Sequence, residues 1–387
     1  MTVEQIYTLV NSAYSEITGD STLVAEDLSN IVDVGTALFS NTQVDNYVKT
    51  LVDRIGKVVF VNRPYDGSVP SIMRDSFEYG SVLQKVTSTL PVATEDEDWK
   101  LVNGNSYPVD VFYQPTVENK FYNSKSVFRI NMSFAKEQVK ESFVSAADMN
   151  AFLSMIVGDI EKAMTVRIDA MVMRTIASAI TDTIDDCYGH NTPDYTEHGN
   201  IRCVNLLADY NTEFSTSLTQ ANCLYDSDFL KYASYRMAMY TDRMTKISSL
   251  FNLGGKDRFT AKSDMNIVML SDFVNLAKMY LYSDTFHDTF VQFPTGLQTV
   301  PYWQGSGTSY AFSDVSGLKM TSGNGNPIDI DGILAVMFDR NAVGVSNYKR
   351  KTTSAYNANG DFYTNFYSTE SAYWTDGNEN FVVFFVK

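Results

Sequence analysis

Apolar residues recur at three- and four-residue spacing from about Ala146 to Ile184: Met149, Phe152, Leu153, Ile156, Ile160, Met164, Ile168, Met171, Val172, Ile176 and Ile180. That spacing keeps one face of a helix buried, with Asp159, Lys162, Asp169 and Arg174 on the opposite face. Ser145, with Asp148 three positions on, supplies the side-chain oxygens that satisfy free N–H groups at a helix start. No proline interrupts the stretch. Gly158 is its weak point, costing about 1 kcal/mol relative to Ala, and a bent pair of core helices broken there is the alternative to one continuous helix. Unbroken, the helix would be on the order of 55 Å long at about 1.5 Å per residue, which argues for an extended or flattened subunit.

The same reading divides the rest of the chain. Residues 2 to 60 predict an arm of three helices. The first carries Ile6, Leu9, Val10, Ala13 and Ile17, the second runs from Leu23 to Phe39, and the third from Gln43 to Ile55 sets Tyr47, Leu51 and Ile55 on one face. A strand from Lys57 to Val61 follows, stopped by Pro64. Two extended runs, one with Phe77 and Tyr79 and then Val82, Gln84 and Val86, the other NKFYNSKSVFRINMS, flank an acidic stretch and predict a long two-stranded excursion with a polar tip. Beyond the long helix, alternation and stop signals predict a helix over Asp226–Leu250 closed by Gly254 and Gly255, a buried strand over 266–270 and a helix opening at Ser271. Strands return at 332–338 and 344–348, in DFYTNFYSTESAYW after a turn at Asn359 and Gly360, and at 380–386. The last is continuously apolar and so requires cover on both faces.

Composition narrows the function classes. The 387 residues are 44% hydrophobic and 13% aromatic, with 24 Tyr and 24 Phe, which describes a folded chain with a large core in two or three lobes. A formal net charge of -16 argues against tight phosphate binding, which needs clustered Lys and Arg. Three cysteines fit a reducing compartment without a disulfide framework. The acidic N-terminus does not read as a signal peptide, and no apolar run reaches the length that spans a bilayer. The expectation is a protein made in a cytoplasm, with no membrane partner.

Chemistry-bearing constellations are sparse. Cys187, His190, His198 and Cys203 form a candidate zinc set, but the spacing matches no compact ribbon or finger. Thr94 to Asp98 (TEDED) and Asp182, Asp185 and Asp186 are acidic clusters without the EF-hand pattern. The serines lack a nucleophile elbow, and the GSG at 305–307 and GNG at 323–325 read as turns rather than phosphate loops. No catalytic residue, cofactor site or metal site is assigned.

The order of parts is an arm, an extended excursion, a spine-length helix, a mixed domain and a return to strands. It resembles the major capsid proteins of tailed bacteriophages, with the Hong Kong 97-type (Johnson) fold of class α+β. VDVGTALFSNTQVDNYVKTLVDRIGKVVF is similar to the N-terminal arm of capsid proteins from small short-tailed phages, FVSAADMNAFLSMIVGDIEKAMTVRIDAMVMRTIASAI to their spine helix, and GILAVMFDRNAVGVSNYKRKTT with ENFVVFFV to their closing strands. The resemblance implies an N-terminal arm over 1–62 and an extended loop over 63–131. It further implies a peripheral domain with the spine helix over 132–184, an axial domain over 185–326 and closing peripheral strands over 327–387. It also implies self-assembly through pentamers and hexamers into an icosahedral or prolate shell around double-stranded DNA, a portal protein at one vertex, and DNA held by non-specific proximity. The arm is too short to hold a scaffolding domain, so a separate scaffolding protein is expected.

A shell subunit works through repeated heterologous contacts that close into rings. The residues expected at such contacts are Tyr47, Leu51 and Ile55 in the arm and Phe77, Tyr79, Tyr122 and Phe128 in the excursion. Rival readings are an encapsulin-type nanocompartment shell, a secreted adhesin or carbohydrate binder, and an unrecognised hydrolase.

Overall fold

The computed structural model describes residues 72–74, 83–88, 101–107, 116–135, 146–189, 194–283, 297–304 and 311–387, with a few isolated positions. The helices and strand read in the arm, Phe77, Tyr79, TEDED and the GSG turn lie outside the described residues.

In chain order the elements are β1 (Met73–Arg74), β2 (Leu83–Ser88), β3 (Val117–Tyr122), β4 (Lys125–Ala135), α1 (Ala146–Tyr188), β5 (Cys203–Asn205), α2 (Leu206–Phe214), α3 (Ser227–Arg243), β6 (Met265–Leu270), α4 (Ser271–Ser283), β7 (Leu297–Val300), α5 (Phe312–Val315), β8 (Leu318–Thr321), β9 (Pro327–Ile330), β10 (Ile333–Asp339), β11 (Val343–Asn357), β12 (Phe362–Thr375) and β13 (Phe381–Phe385). The chain divides into two compact units. One takes residues 1–77, 125–175 and 345–372, the other 78–124, 176–344 and 373–387.

The helix α1 is continuous for 43 residues, through Gly158. Among its described buried residues runs an unbroken four-residue row: Ile160, Met164, Ile168, Val172, Ile176, Ile180 and Ile184. Four residues turn a helix by about 400°, so such a row winds about 40° around the axis at each step. Burial also changes from one-sided to nearly all-round along the helix: Asp159, Lys162, Val166 and Arg167 are exposed, whereas most positions from Val172 to Asp185 are buried. Hydroxyls in that second half bond back to the helix, Thr181 to the Ala177 carbonyl and Thr183 to the Ala179 carbonyl, each at 2.8 Å. This is how polar side chains sit in a buried helix without an orphan donor.

The first unit holds a four-stranded sheet in the order β1-β11-β12-β4. The strands β12 and β4 pair antiparallel from Phe362 opposite Ala135 to Ala372 opposite Lys125. Alternation along β12 buries Tyr363, Asn365, Tyr367, Thr369 and Ser371. The turn before it is built by Asn357, whose side-chain oxygen accepts from the Asn359 and Gly360 amides at 3.0 and 3.2 Å. The extended run read from Asn119 onward is therefore two strands, β3 and β4, belonging to different sheets.

The second unit is built on a five-stranded sheet in the order β5-β13-β10-β6-β7. Its central strands β10 and β13 are buried at every residue, as an apolar run without alternation requires. The sheet draws strands from both 185–326 and 327–387. The helices α2, α3 and α4 contribute Leu207, Phe229, Met237, Phe273 and Ala277 to its core. Asn205 joins sheet to helix: its side-chain oxygen caps α2 by accepting from the Ala208 amide, and its amide donates to the Lys387 carbonyl, which fixes the end of the chain. Asp226 caps α3 the same way through the Phe229 amide at 2.8 Å. At Gly332, φ is +85° and a Cβ would fall 2.0 Å from the Val386 carbonyl oxygen, so only glycine fits beside β13.

Candidate functional site

The chemistry-bearing residues are occupied with one another. His198 is bonded through Nδ1 to Asp209 at 2.8 Å and through Nε2 to Thr212 at 3.0 Å. The Cys187 thiol meets the Asn200 side-chain oxygen at 3.0 Å. A hydrogen bond with Cys203 holds the Cys187 thiol below its ordinary range, whereas burial pushes the enclosed Cys203 thiol up. His190 lies outside the described residues. Asp185 accepts from Ser322, Asn324 and Asn326, and Asp186 from Arg202. Burial raises the carboxyl of Asp182, against the Gly323 amide that donates to it at 2.7 Å. The GNG turn thus folds over two helix carboxylates. Among the described residues no group of three or more His, Cys, Asp or Glu is placed to hold a metal ion, and no helix is long and apolar enough to cross a membrane.

The feature that departs from an ordinary folded surface is the β2–β3 hairpin of the second unit. Its strands pair antiparallel, Leu83 opposite Tyr122, Lys85 opposite Lys120 and Ser88 opposite Val117. A strand sends alternate side chains to opposite faces, and here the faces are inverted relative to the usual rule. The partly buried face carries Lys85, Thr87, Glu118, Lys120 and Tyr122, while on the outer face Val86 (60% exposed), Val117 (54%) and Phe121 (60%) stand in solvent among Gln84, Ser88 and Asn119.

The charges on the inner face meet partners of their own unit. Lys85 donates to Asp376 and to Glu379, each at 2.5 Å, and Lys120 donates to the other oxygen of Asp376 at 2.8 Å. Lys256 pairs with Glu118, and Arg258 lies 3.4 Å from Glu379. Burial opposes ionisation of Asp376, but the hydrogen bonds from Lys120 and Lys85 outweigh it and hold the carboxyl well below the usual range. Burial and the same carboxylate push the neighbouring Tyr122 phenol up, so it stays protonated. Tyr122 also lies against Trp374, with ring centroids 6.3 Å apart.

Of the residues expected at subunit contacts, Tyr47, Leu51, Ile55, Phe77 and Tyr79 lie outside the described residues. Tyr122 and Phe128 are each half-buried, Tyr122 on the hairpin's inner face and Phe128 on the face of β4 that also carries buried Phe134. In both strands the exposed apolar residue is the one before: Phe121, and Val127 at 63% exposed. The lysines at 85 and 120 were the available signal. Paired cations on one strand face fix the other face as the one left for Val86 and Phe121, but their acidic partners lie far along the chain and no local pattern connects them.

A protein-family profile described as Phi29-like phage major capsid protein matches residues 6–385. Among solved structures, the chain is similar to the capsid structure of Staphylococcus phage Andhra, at 12% identity over 84% of this chain and 86% of that one, with a TM-score of 0.51. A bacteriophage P68 structure of head fiber and inner core protein matches at 13% identity over 82% of this chain and 83% of that one, with a TM-score of 0.49. The capsid structure of cyanophage P-SCSP1u matches at 11% identity over 85% and 94%, with a TM-score of 0.46. No curated protein matches the chain.

Proposed function

The chain belongs to the Phi29-like phage major capsid protein family, and from that premise we propose that the outward face of the β2–β3 hairpin is a contact through which its copies assemble. The chain has the mixed helix-and-sheet fold of Hong Kong 97-type phage capsids and is a structural protein of the capsid shell in the virion. The encapsulin alternative is not favoured by this membership.

The observation that carries the proposal is the inverted hairpin. Charged residues on the inner face are neutralised by Asp376, Glu379 and Lys256, so the apolar residues are left on the outer face, where a monomer gains nothing from them. Covering Val86, Val117 and Phe121 on a neighbouring copy would contribute on the order of 3–5 kcal/mol per contact by apolar area. A subunit making several such contacts at once raises their joint strength through effective concentration. Val127 on β4 is a second position of the same kind. The arm residues Tyr47, Leu51 and Ile55, with Phe77 and Tyr79, complete the proposed contact set.

The rest of the reading follows from a closed shell. Copies meet in rings of five and six, a separate scaffolding protein guides closure, and a portal protein occupies one vertex. Double-stranded DNA is enclosed without specific binding, and assembly takes place in the host bacterial cytoplasm. Residues 1–62 act as an arm, 63–131 as an extended loop, 132–175 with 345–372 as a peripheral domain, and 176–344 with 373–387 as an axial domain, a division supported by the two compact units and by the five-stranded sheet that takes strands from both 185–326 and 327–387. The chain acts by its contacts and performs no catalysis. The formal charge of -16 supports a wall to which packaged DNA does not adhere.

Electron microscopy of the expressed chain, alone and with a candidate scaffolding protein, tests this reading. Rings or closed shells are expected, and only monomers or small oligomers under every condition would overturn it.

A further inference from the structure

The hairpin poses a problem that its own strands do not solve. Lys85 and Lys120 are directly opposite one another in the β2–β3 register, and like charges facing each other across two strands weaken the pairing. Their ammonium groups both turn to one carboxylate. Asp376 takes Lys85 on Oδ2 at 2.5 Å and Lys120 on Oδ1 at 2.8 Å, and its side chain is only 1% exposed.

That carboxylate sits on a turn held from several sides. The Asp376 amide donates to the Ala342 carbonyl at 2.7 Å, and its Oδ1 also accepts from the Asn378 amide at 3.1 Å. The Gly377 carbonyl accepts from Gly254 at 2.8 Å, and the Asn380 side chain donates to Thr260 at 3.1 Å. The turn then enters β13, which is buried throughout. One fixed anion therefore serves two cations carried by a two-stranded hairpin, an element that is marginal alone. The remaining described charges around it are Glu118, Glu379, Lys256 and Arg258, with Tyr122 as the neighbouring phenol.

We propose that Asp376 is a positioning residue for the hairpin: by bridging the facing lysines Lys85 and Lys120, it both stitches β2 to β3 and sets the hairpin's angle to its own unit, through charge rather than apolar packing. The use of that angle in a shell rests on the capsid reading above, but the bridge itself does not. An apolar attachment would have to expose core to let the hairpin move, whereas this one separates mainly at ion pairs, the Asp376 bridge with Lys85–Glu379 and Glu118–Lys256 beside it, and leaves the five-stranded sheet intact.

The test is amide hydrogen exchange on the unassembled full-length chain, comparing wild type with D376N, D376E, and the double variant D376N/K120M. Asparagine keeps the size and the acceptor for the Asn378 amide but removes the charge. In D376N, exchange over residues 83–88 and 117–122 is expected to rise on the order of tenfold or more while 265–270, 333–338 and 381–385 keep their protection. D376E is expected to retain most of the protection. The double variant removes the anion and one of the two repelling cations together, so it is expected to regain protection that D376N loses, and added salt is expected to slow hairpin exchange in D376N by screening the lysine pair. A purely structural role for the turn would show neither recovery. Unchanged hairpin exchange in D376N would overturn the proposal. So would loss of hairpin and sheet protection together in D376N without recovery in D376N/K120M. Because no assembly is measured, failure here leaves the capsid reading standing, and failure to form shells leaves the bridge standing.

Discussion

Lys85 and Asp376 stand 291 positions apart in the chain and meet at 2.5 Å. This contact turns the charged face of the hairpin toward its own unit and leaves Val86, Val117 and Phe121 outside. The same ion pair gives the folded state a defined response to acid. Asp376 is held below the ordinary carboxylate range, so its folded-state value lies under the unfolded one of about 3.9. Its contribution to stability is therefore fully present above that value and is lost as pH falls below it toward the folded value. Urea midpoints measured from neutral pH downward are expected to fall below about pH 4, and to fall less steeply in D376N, which lacks the titrating group. At neutral pH the D376N cost, about 2 kcal/mol after discounting for the screening that reaches the half-exposed Lys120, is expected in local opening of the hairpin, read from its amide exchange, rather than in unfolding of the five-stranded sheet.

Gly158 lies in the interior of α1, and a Cβ placed there meets nothing within 4 Å. Gly158→Ala is expected to stabilise the chain by about 0.5–1 kcal/mol, because alanine loses less backbone freedom on entering a helix. Calorimetry would register this as a rise of about 1–2 °C in the transition that melts α1.

Phe384 is fully buried in β13, with its ring edge-to-face against Tyr240 at 5.1 Å. Phe384→Ala is expected to cost about 3–5 kcal/mol, from lost burial and from the cavity left behind. Denaturant unfolding would detect the change as a lower midpoint. A cost below about 1 kcal/mol would mean that the core around β13 can collapse into the space.

Much of this architecture is legible in the chain because local periodicity and burial agree there. The continuous apolar run at 380–386 becomes a strand buried on both faces, and the three- and four-residue spacing from Met149 to Ile180 becomes one helix through Gly158. The sequence is less informative where a face is set by a distant partner. Alternation in NKFYN allows either Phe121 or Tyr122 to point inward, and the choice is made by Asp376 and Trp374 more than 250 residues later. The boundary between β3 and β4 is hidden for the same reason: KSVFRINMSFA is claimed by β12, whereas VENKFY is claimed by β2. Extended sequence reveals a strand, but its sheet is decided by pairing across long chain separations.

The central claim is that the hairpin's outward apolar face joins one copy of the chain to the next. It is tested most directly by replacing Val86, Val117 and Phe121 together with Ser, Thr and Asn, and comparing the variant with wild type by electron microscopy and sedimentation under conditions in which wild type forms shells. These side chains are exposed in the single chain, so the variant is expected to fold with an unfolding midpoint close to that of wild type and to remain as monomers or small oligomers. Normal shells formed by the triple variant would contradict the account.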